Sequence, residues 1–144
     1  MKQTFPRNLD SLNYVLNFID AFIAHFSMDE SIAYAIKVSV EELFVNAVKH
    51  GTENTGDLLL ELSKKEDVLK IRFLDYGAKP FNIIEAKPYN VQQPLHERKP
   101  GGVGIHLIKK YMDEIEYKYK DTTSIITLIK YLEKKHVGSK NNRK

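Results

Sequence analysis

From residue 12 to residue 26 apolar side chains return at spacings of three and four: Leu12, Val15, Leu16, Ile19, Phe22, Ile23 and Phe26. That period gathers them on one side of an α-helix, so the pattern predicts an amphipathic helix over about 11–26, with Asn8 or Asp10 as its cap. Met28-Asp29-Glu30-Ser31 breaks the stripe and supplies new cap candidates. A second stripe then runs through Ile32, Ile36, Val40, Leu43, Phe44, Ala47 and Val48, with Gly51 as its stop. Beyond Gly56 the period changes. Leu58 to Leu62 and Val68 to Leu74 are short apolar runs parted by Glu66-Asp67, and the second alternates, which predicts a hairpin with one buried face. Thr4-Phe5-Pro6 reads as a short edge strand, because proline cannot donate to a ladder. From Asp75 to Pro100 there is no sustained period, and prolines stand at 80, 88, 94 and 100. This predicts a loop longer than ordinary connections, of the kind that is either disordered or functional. Gly101-Gly102-Val103-Gly104 opens a third helix with Ile105, Leu107, Ile108, Tyr111 and Met112 on its apolar side, and strands near 115–119 and 124–132 follow. No repeat or interior linker divides the chain, which reads as one domain over 1–134 with a tail at 135–144.

Composition narrows what such a domain can do. A length of 144 residues suits one compact unit, and 42% hydrophobic with 28% charged residues is ordinary globular usage. There is no cysteine, which excludes disulfides, thiolate metal sites, iron–sulfur clusters and a cysteine nucleophile, and suits a reducing compartment. The longest apolar runs, such as 57–62, fall far short of the ~20 residues a membrane span needs, and the first six residues lack a signal-peptide core. The expectation is a cytoplasmic protein without a membrane partner. The net charge is +3, but Lys134, Lys135, Lys140, Arg143 and Lys144 lie in a tail free of acids, so the remainder is slightly acidic. With no basic face carrying interleaved aromatics, direct nucleic acid binding is not expected.

Three short segments carry candidate chemistry. Three of the seven glycines fall within 101–104, directly before a helix. Such a string lets the backbone approach a ligand and points free N–H groups and the positive helix end toward an anion, typically phosphate, although a plain flexible turn has the same composition. No Walker A loop exists, since Gly138-Ser139-Lys140 has the wrong order. On the second helix Glu42, Asn46 and His50 are spaced by four and share a face beside the apolar stripe. Glu42 could be a general base and Asn46 a hard oxygen donor to Mg2+, and a solvated helix face is the competing account. Glu41 and Lys49 read as surface charges, with Lys49 able to reach a phosphate. Asp75-Tyr76-Gly77 ends a strand read as buried, where a carboxylate needs a partner such as a base amino group. The histidines at 25, 50, 96, 106 and 136 have no metal-ligand spacing, and no G-x-S-x-G elbow is present.

In order, Glu42-Leu43-Phe44-Val45-Asn46-Ala47-Val48-Lys49-His50-Gly51, Asp75-Tyr76-Gly77 and Gly101-Gly102-Val103-Gly104-Ile105-His106-Leu107-Ile108 resemble the N, G1 and G2 boxes of the GHKL (Bergerat-fold) ATPase and kinase superfamily. Within it the chain is most similar to the anti-sigma-factor serine/threonine-protein kinases, over roughly 5–132. The resemblance implies an α/β two-layer sandwich: a mixed, largely antiparallel sheet with helices on one face and an ATP lid at about 76–100. It implies ATP and Mg2+ as cofactors. By the same resemblance Asn46 coordinates Mg2+, Glu42 is the base toward a substrate hydroxyl, Asp75 accepts from the adenine amino group and Gly77 lets the purine approach. Gly102 and Gly104 face the phosphates, with Gly101, Val103 and Ile105 in the same nucleotide-binding loop. Phosphoryl transfer depends on positioning and charge neutralisation, which a metal, a carboxylate and a helix terminus can supply.

Two departures mark this chain. The first glycine box of the family commonly runs D-x-G-x-P-F, whereas Lys79 adds a residue before Pro80-Phe81. Relatives also place an arginine shortly before the second glycine box, and here Arg98 and Lys99 both stand near that place; Arg98 is the choice for a γ-phosphate or partner contact. The function so implied is a kinase that phosphorylates an anti-sigma antagonist protein on Ser or Thr and sequesters a sigma factor, as a homodimer. The alternative is an ATP-binding interaction module without transfer, which would have no need of Glu42. A sensor histidine kinase would need a helical hairpin before the N box where one helix is predicted, and gyrase-type or MutL-type relatives need further domains.

Overall fold

The computed structural model describes residues 1–50, 56–77 and 102–132, with side chains of the last segment from residue 106 onward. In chain order the elements are β1 (Lys2–Phe5), a 3-10 turn (Leu9–Ser11), α1 (Leu12–Phe26), α2 (Glu30–His50), β2 (Leu58–Lys65), β3 (Val68–Tyr76), α3 (Gly102–Tyr111), β4 (Glu114–Lys120) and β5 (Thr123–Tyr131).

Local chemistry sets the helix limits. Asn8 Oδ1 accepts from the Ser11 backbone N–H at 3.0 Å, so Asn8 caps a 3-10 turn and α1 starts one residue later than the pattern predicts. At its other end Ser27 takes the left-handed conformation (φ 50°, ψ 46°), and the amides of Ser27 and Met28 return to Ala24 and Ile23 carbonyls, a Schellman-type stop made without glycine. Asp29 Oδ1 accepts from the Ile32 N–H at 3.0 Å at the start of α2. Gly51, the expected stop of that helix, lies outside the described residues.

The strands form one sheet in the order β1-β2-β3-β5-β4, and every described pairing is antiparallel, so the mixed character allowed for the sheet is absent among the described residues. The β4–β5 turn is Asp121-Thr122, both with positive φ (52° and 59°), the two-residue geometry that follows the right-handed strand twist. The edge strand expected near Thr4 is there as β1, which ends just before Pro6. The third helix stops at Tyr111; Met112, expected within it, follows the helix and stays buried.

One face of the sheet makes the core. Leu58, Leu60 and Leu62 of β2, Leu69, Ile71 and Phe73 of β3, and Ile126 and Leu128 of β5 alternate onto the same side. They pack with Val15, Phe18, Ile19 and Phe22 of α1, Ala35, Ile36, Val40, Leu43 and Phe44 of α2, and Ile108 of α3. The result is a two-layer α/β sandwich. Phe22 is fully buried and stacks edge-on with Phe26 at 4.9 Å. Phe22→Ala is expected to lower the unfolding free energy by about 3–5 kcal/mol, read as a shift of the urea midpoint at constant slope.

β3 reaches two residues further than its apolar run, because Asp75 and Tyr76 continue the ladder opposite Ser124 and Thr123 of β5. Asp75, expected both as the end of a buried strand and as the first residue of the long loop, is the last inward position of a central strand. The rest of the proposed lid, 78–100 with Lys79, Arg98 and Lys99, lies outside the described residues, as do Gly101 and the tail from 133.

Candidate nucleotide site

The middle of α2 carries the predicted polar row, and the fold treats its members unequally. Asn46 is 9% exposed, Glu42 is half-buried, and His50 at the helix end is exposed. A solvated face would expose all three alike. Among the described residues Asn46 has no side-chain hydrogen-bond partner, which leaves its amide oxygen available at a nearly buried position. Burial raises the Glu42 carboxyl above the usual glutamate range; the positive charge of Lys49 opposes the shift and Glu41 adds to it. Lys49 and Glu41 are themselves exposed, so they act on Glu42 through charge from the rim.

Asp75 arrives at the same end of the molecule from the sheet. Strand alternation places it after Leu69, Ile71 and Phe73 on the helix-covered side, opposite Leu58 and Ser124. A carboxylate there needs a partner, and it has one in Arg7, which the sequence pattern did not single out. Arg7 Nη2 donates to Asp75 Oδ1, Nη1 donates to the Ala47 carbonyl at 2.9 Å, and Nε donates to the Gly56 carbonyl at 3.2 Å. Their side chains are 5% and 15% exposed, so this is an interior ion pair. Ala47 follows Asn46 directly. One guanidinium therefore joins the last turns of α2 to the end of β3, and shows that the N-box residues and Asp75 share a locality. Gly77, just beyond, has φ 77°, a conformation that favours glycine.

α3 brings the glycine string. It packs along α2, and its last residue, Tyr111, meets Tyr34 near the start of α2 with ring centroids 5.6 Å apart. Ten helical residues span ~15 Å, long enough to reach from Tyr34 to the half of α2 that holds Glu42 and Asn46. Lys130 Nζ donates to the Tyr111 carbonyl at 2.9 Å and closes the other end. The backbone of Gly102, Val103, Gly104 and Ile105 opens this helix as expected; Val103 and Ile105 side chains lie outside the described set.

Comparisons with known proteins give the family. Residues 5–130 match the histidine kinase-like ATPase domain family. The chain belongs to that family. Among its relatives is the serine-protein kinase RsbW of Listeria monocytogenes, 32% identical over 108 residues, covering 71% of this chain and 68% of the relative. RsbW of Bacillus cereus is 27% identical over 111 residues, with coverages of 74% and 69%. The chain is thereby a serine-protein kinase homologue within the ATPase-domain family. In structure it resembles the RsbU and RsbW domains of a Mycobacterium tuberculosis protein (TM-score 0.66, 16% identity, 92% of this chain), of which it spans about a third (32%). It also resembles the SiaB–SiaC complex from Pseudomonas aeruginosa (TM-score 0.62, 10% identity, 92% and 88%).

The residues of this ATPase domain fit the group the family binds. An oxygen donor without a side-chain partner among the described residues, a half-buried carboxylate, an inward carboxylate at a strand end and a glycine-led helix start are a set suited to Mg-ATP. No group of three His, Cys, Asp or Glu among the described residues could hold a metal by itself. No described helix is long and apolar enough to cross a membrane.

Proposed function

We propose that the protein transfers the γ-phosphoryl group of ATP to a serine or threonine of an anti-sigma antagonist protein, and that it also sequesters a sigma factor. The observation that carries the kinase reading is the half-buried Glu42, with its raised carboxyl pKa, one helical turn before a nearly buried Asn46. The name of the RsbW relatives, serine-protein kinase, supports a protein substrate, and the SiaB–SiaC complex shares the fold.

When bound, Mg-ATP supplies the phosphoryl group and the divalent charge that neutralises it. The chain does the rest. Asn46 would offer its amide oxygen to Mg2+, and Asp75 would accept from the adenine amino group beside Gly77, which has no Cβ to crowd a purine. The backbone of 102–105 would present N–H groups at the α3 N-terminus to the phosphates, with Lys49 and Arg98 as further cations. Glu42 orients the substrate hydroxyl and takes its proton as that oxygen bonds to the transferred phosphorus and ADP leaves. A carboxylate with a raised pKa is a stronger base than an exposed one, which suits this task.

The reading is tested with the wild-type chain, labelled ATP and Mg2+, and the anti-sigma antagonist isolated with it from its native cell. Label is expected on a serine or threonine of the antagonist, and the sigma factor is expected to bind the unmodified chain. ATP binding with no label on a bound antagonist would leave an interaction module in place of a kinase.

A further inference from the structure

We infer that Arg7 is the positioning residue that sets nucleobase selectivity, by holding the Asp75 carboxylate in one orientation with one oxygen left for the base. The inference rests on the reading of Asp75 as the acceptor for the adenine amino group.

Arg7 spans three segments distant in sequence. It holds the Ala47 carbonyl in the last turn of α2, the Gly56 carbonyl ahead of β2, and Asp75 Oδ1 at the end of β3. A guanidinium is a rigid planar fork, and one already tied to two backbone carbonyls cannot swing to follow its carboxylate. Its position is set by the backbone, and it sets the position of Asp75 in turn. Both side chains are largely withdrawn from solvent, at 5% and 15% exposure, so water does not screen the pair and removal of either member leaves a buried charge uncompensated. Among the described residues Arg7 is the one hydrogen-bond partner of the Asp75 side chain. It engages Oδ1, which leaves Oδ2 as an acceptor.

The consequence is a choice between purines. A carboxylate paired with a guanidinium is an acceptor, complementary to the 6-amino group of adenine. A 6-oxo purine offers an oxygen at that place, and two acceptors face each other. Sites that hydrogen-bond a substrate group discriminate strongly against an analogue lacking it, provided their own groups are fixed. Arg7 provides the fixing. Because Ala47 adjoins Asn46, the same fork also ties the base-reading oxygen to the helix turn that offers the metal ligand.

The probes are ATP and inosine triphosphate, which differ at the 6 position, titrated by calorimetry into the full chain with Mg2+. Wild type is expected to prefer ATP. Arg7→Met, which keeps the stem and removes the fork, is expected to reduce that preference about tenfold or more, chiefly through weaker ATP binding, in line with the loss of a charge-assisted hydrogen bond. Equal weakening of both nucleotides, or no change in either, would show Arg7 to be a structural tie alone and would overturn the inference. Asp75→Ala separates the two levels. If it abolishes the preference while Arg7→Met retains it, the adenine reading stands and the role of Arg7 falls; if Asp75→Ala keeps the preference, both fall. Should Arg7→Met not fold, the unaltered chain decides by nitrogen NMR: the Arg7 guanidinium resonance is expected to move on saturation with ATP and less with inosine triphosphate, and equal movement with both would overturn the role.

Discussion

Glu42→Gln is expected to leave ATP bound while phosphoryl transfer to the antagonist falls by about 10²–10⁴, the contribution of a positioned general base. The substitution keeps size and polarity and removes the charge. ATP affinity should hold or rise, since a carboxylate near phosphates repels them. The pH profile carries a second signature. Burial lifts the Glu42 pKa above the ordinary glutamate value, with Lys49 countering and Glu41 adding, and the base works only when deprotonated. The wild-type rate should therefore climb with pH across a window above that of an exposed carboxylate, and the climb should vanish in the variant. Stability follows the opposite sign. A carboxyl whose pKa is raised on folding binds its proton more tightly when folded, so its favourable contribution is complete below the unfolded pKa and is lost as pH rises through the folded value. The charged form of Glu42 is a burden on the fold, and at pH above its folded value Gln should match or exceed wild-type stability. Single-turnover transfer beside calorimetric affinity makes the check; transfer at the wild-type rate would remove Glu42 from the mechanism.

Asn46→Ala should reverse that split. Here Mg-ATP binding is expected to weaken by at least ten- to a hundredfold, the loss that follows even from removing partners that only orient metal ligands. The fold should survive, because the amide has no side-chain partner among the described residues and alanine favours the helix interior. The decisive comparison is with and without metal. In chelator the variant and wild type should bind ATP alike, and an equal deficit with and without Mg2+ would point to a packing defect instead of a lost ligand.

The helices were legible because their apolar stripes run at period three to four without interruption, and the Glu42–Asn46 row followed from the same period. What the row's spacing could not show is its gradient of burial. That depends on how the last turns of α2 overhang the sheet, a tertiary matter. Asp75 was legible as a strand-ending carboxylate in need of a partner; the loop boundary also drawn there fell two residues early, since the prolines beyond it dominate the local pattern while β5, nearly fifty residues on, extends the strand to Tyr76. Arg7 was not legible at all. It follows Pro6 in a short connection with no period, and its three acceptors come from segments 40, 49 and 68 residues away. The bonds that assemble the site are long-range ones, and hydrophobic patterning carries no trace of them.

β3 stands third of five strands and is paired from Val68 to Asp75 on both sides, by β2 and by β5. Interior strands of this kind open only when the whole domain opens. Asp75 is thus bolted to the part of the molecule that is last to come apart, and a nucleotide held there would oppose global unfolding more than local fluctuation. Ligand that binds the native state alone raises its stability by mass action. The cell's ATP level would then act as a folding cofactor for this chain, governing how much of it survives as well as how fast it works.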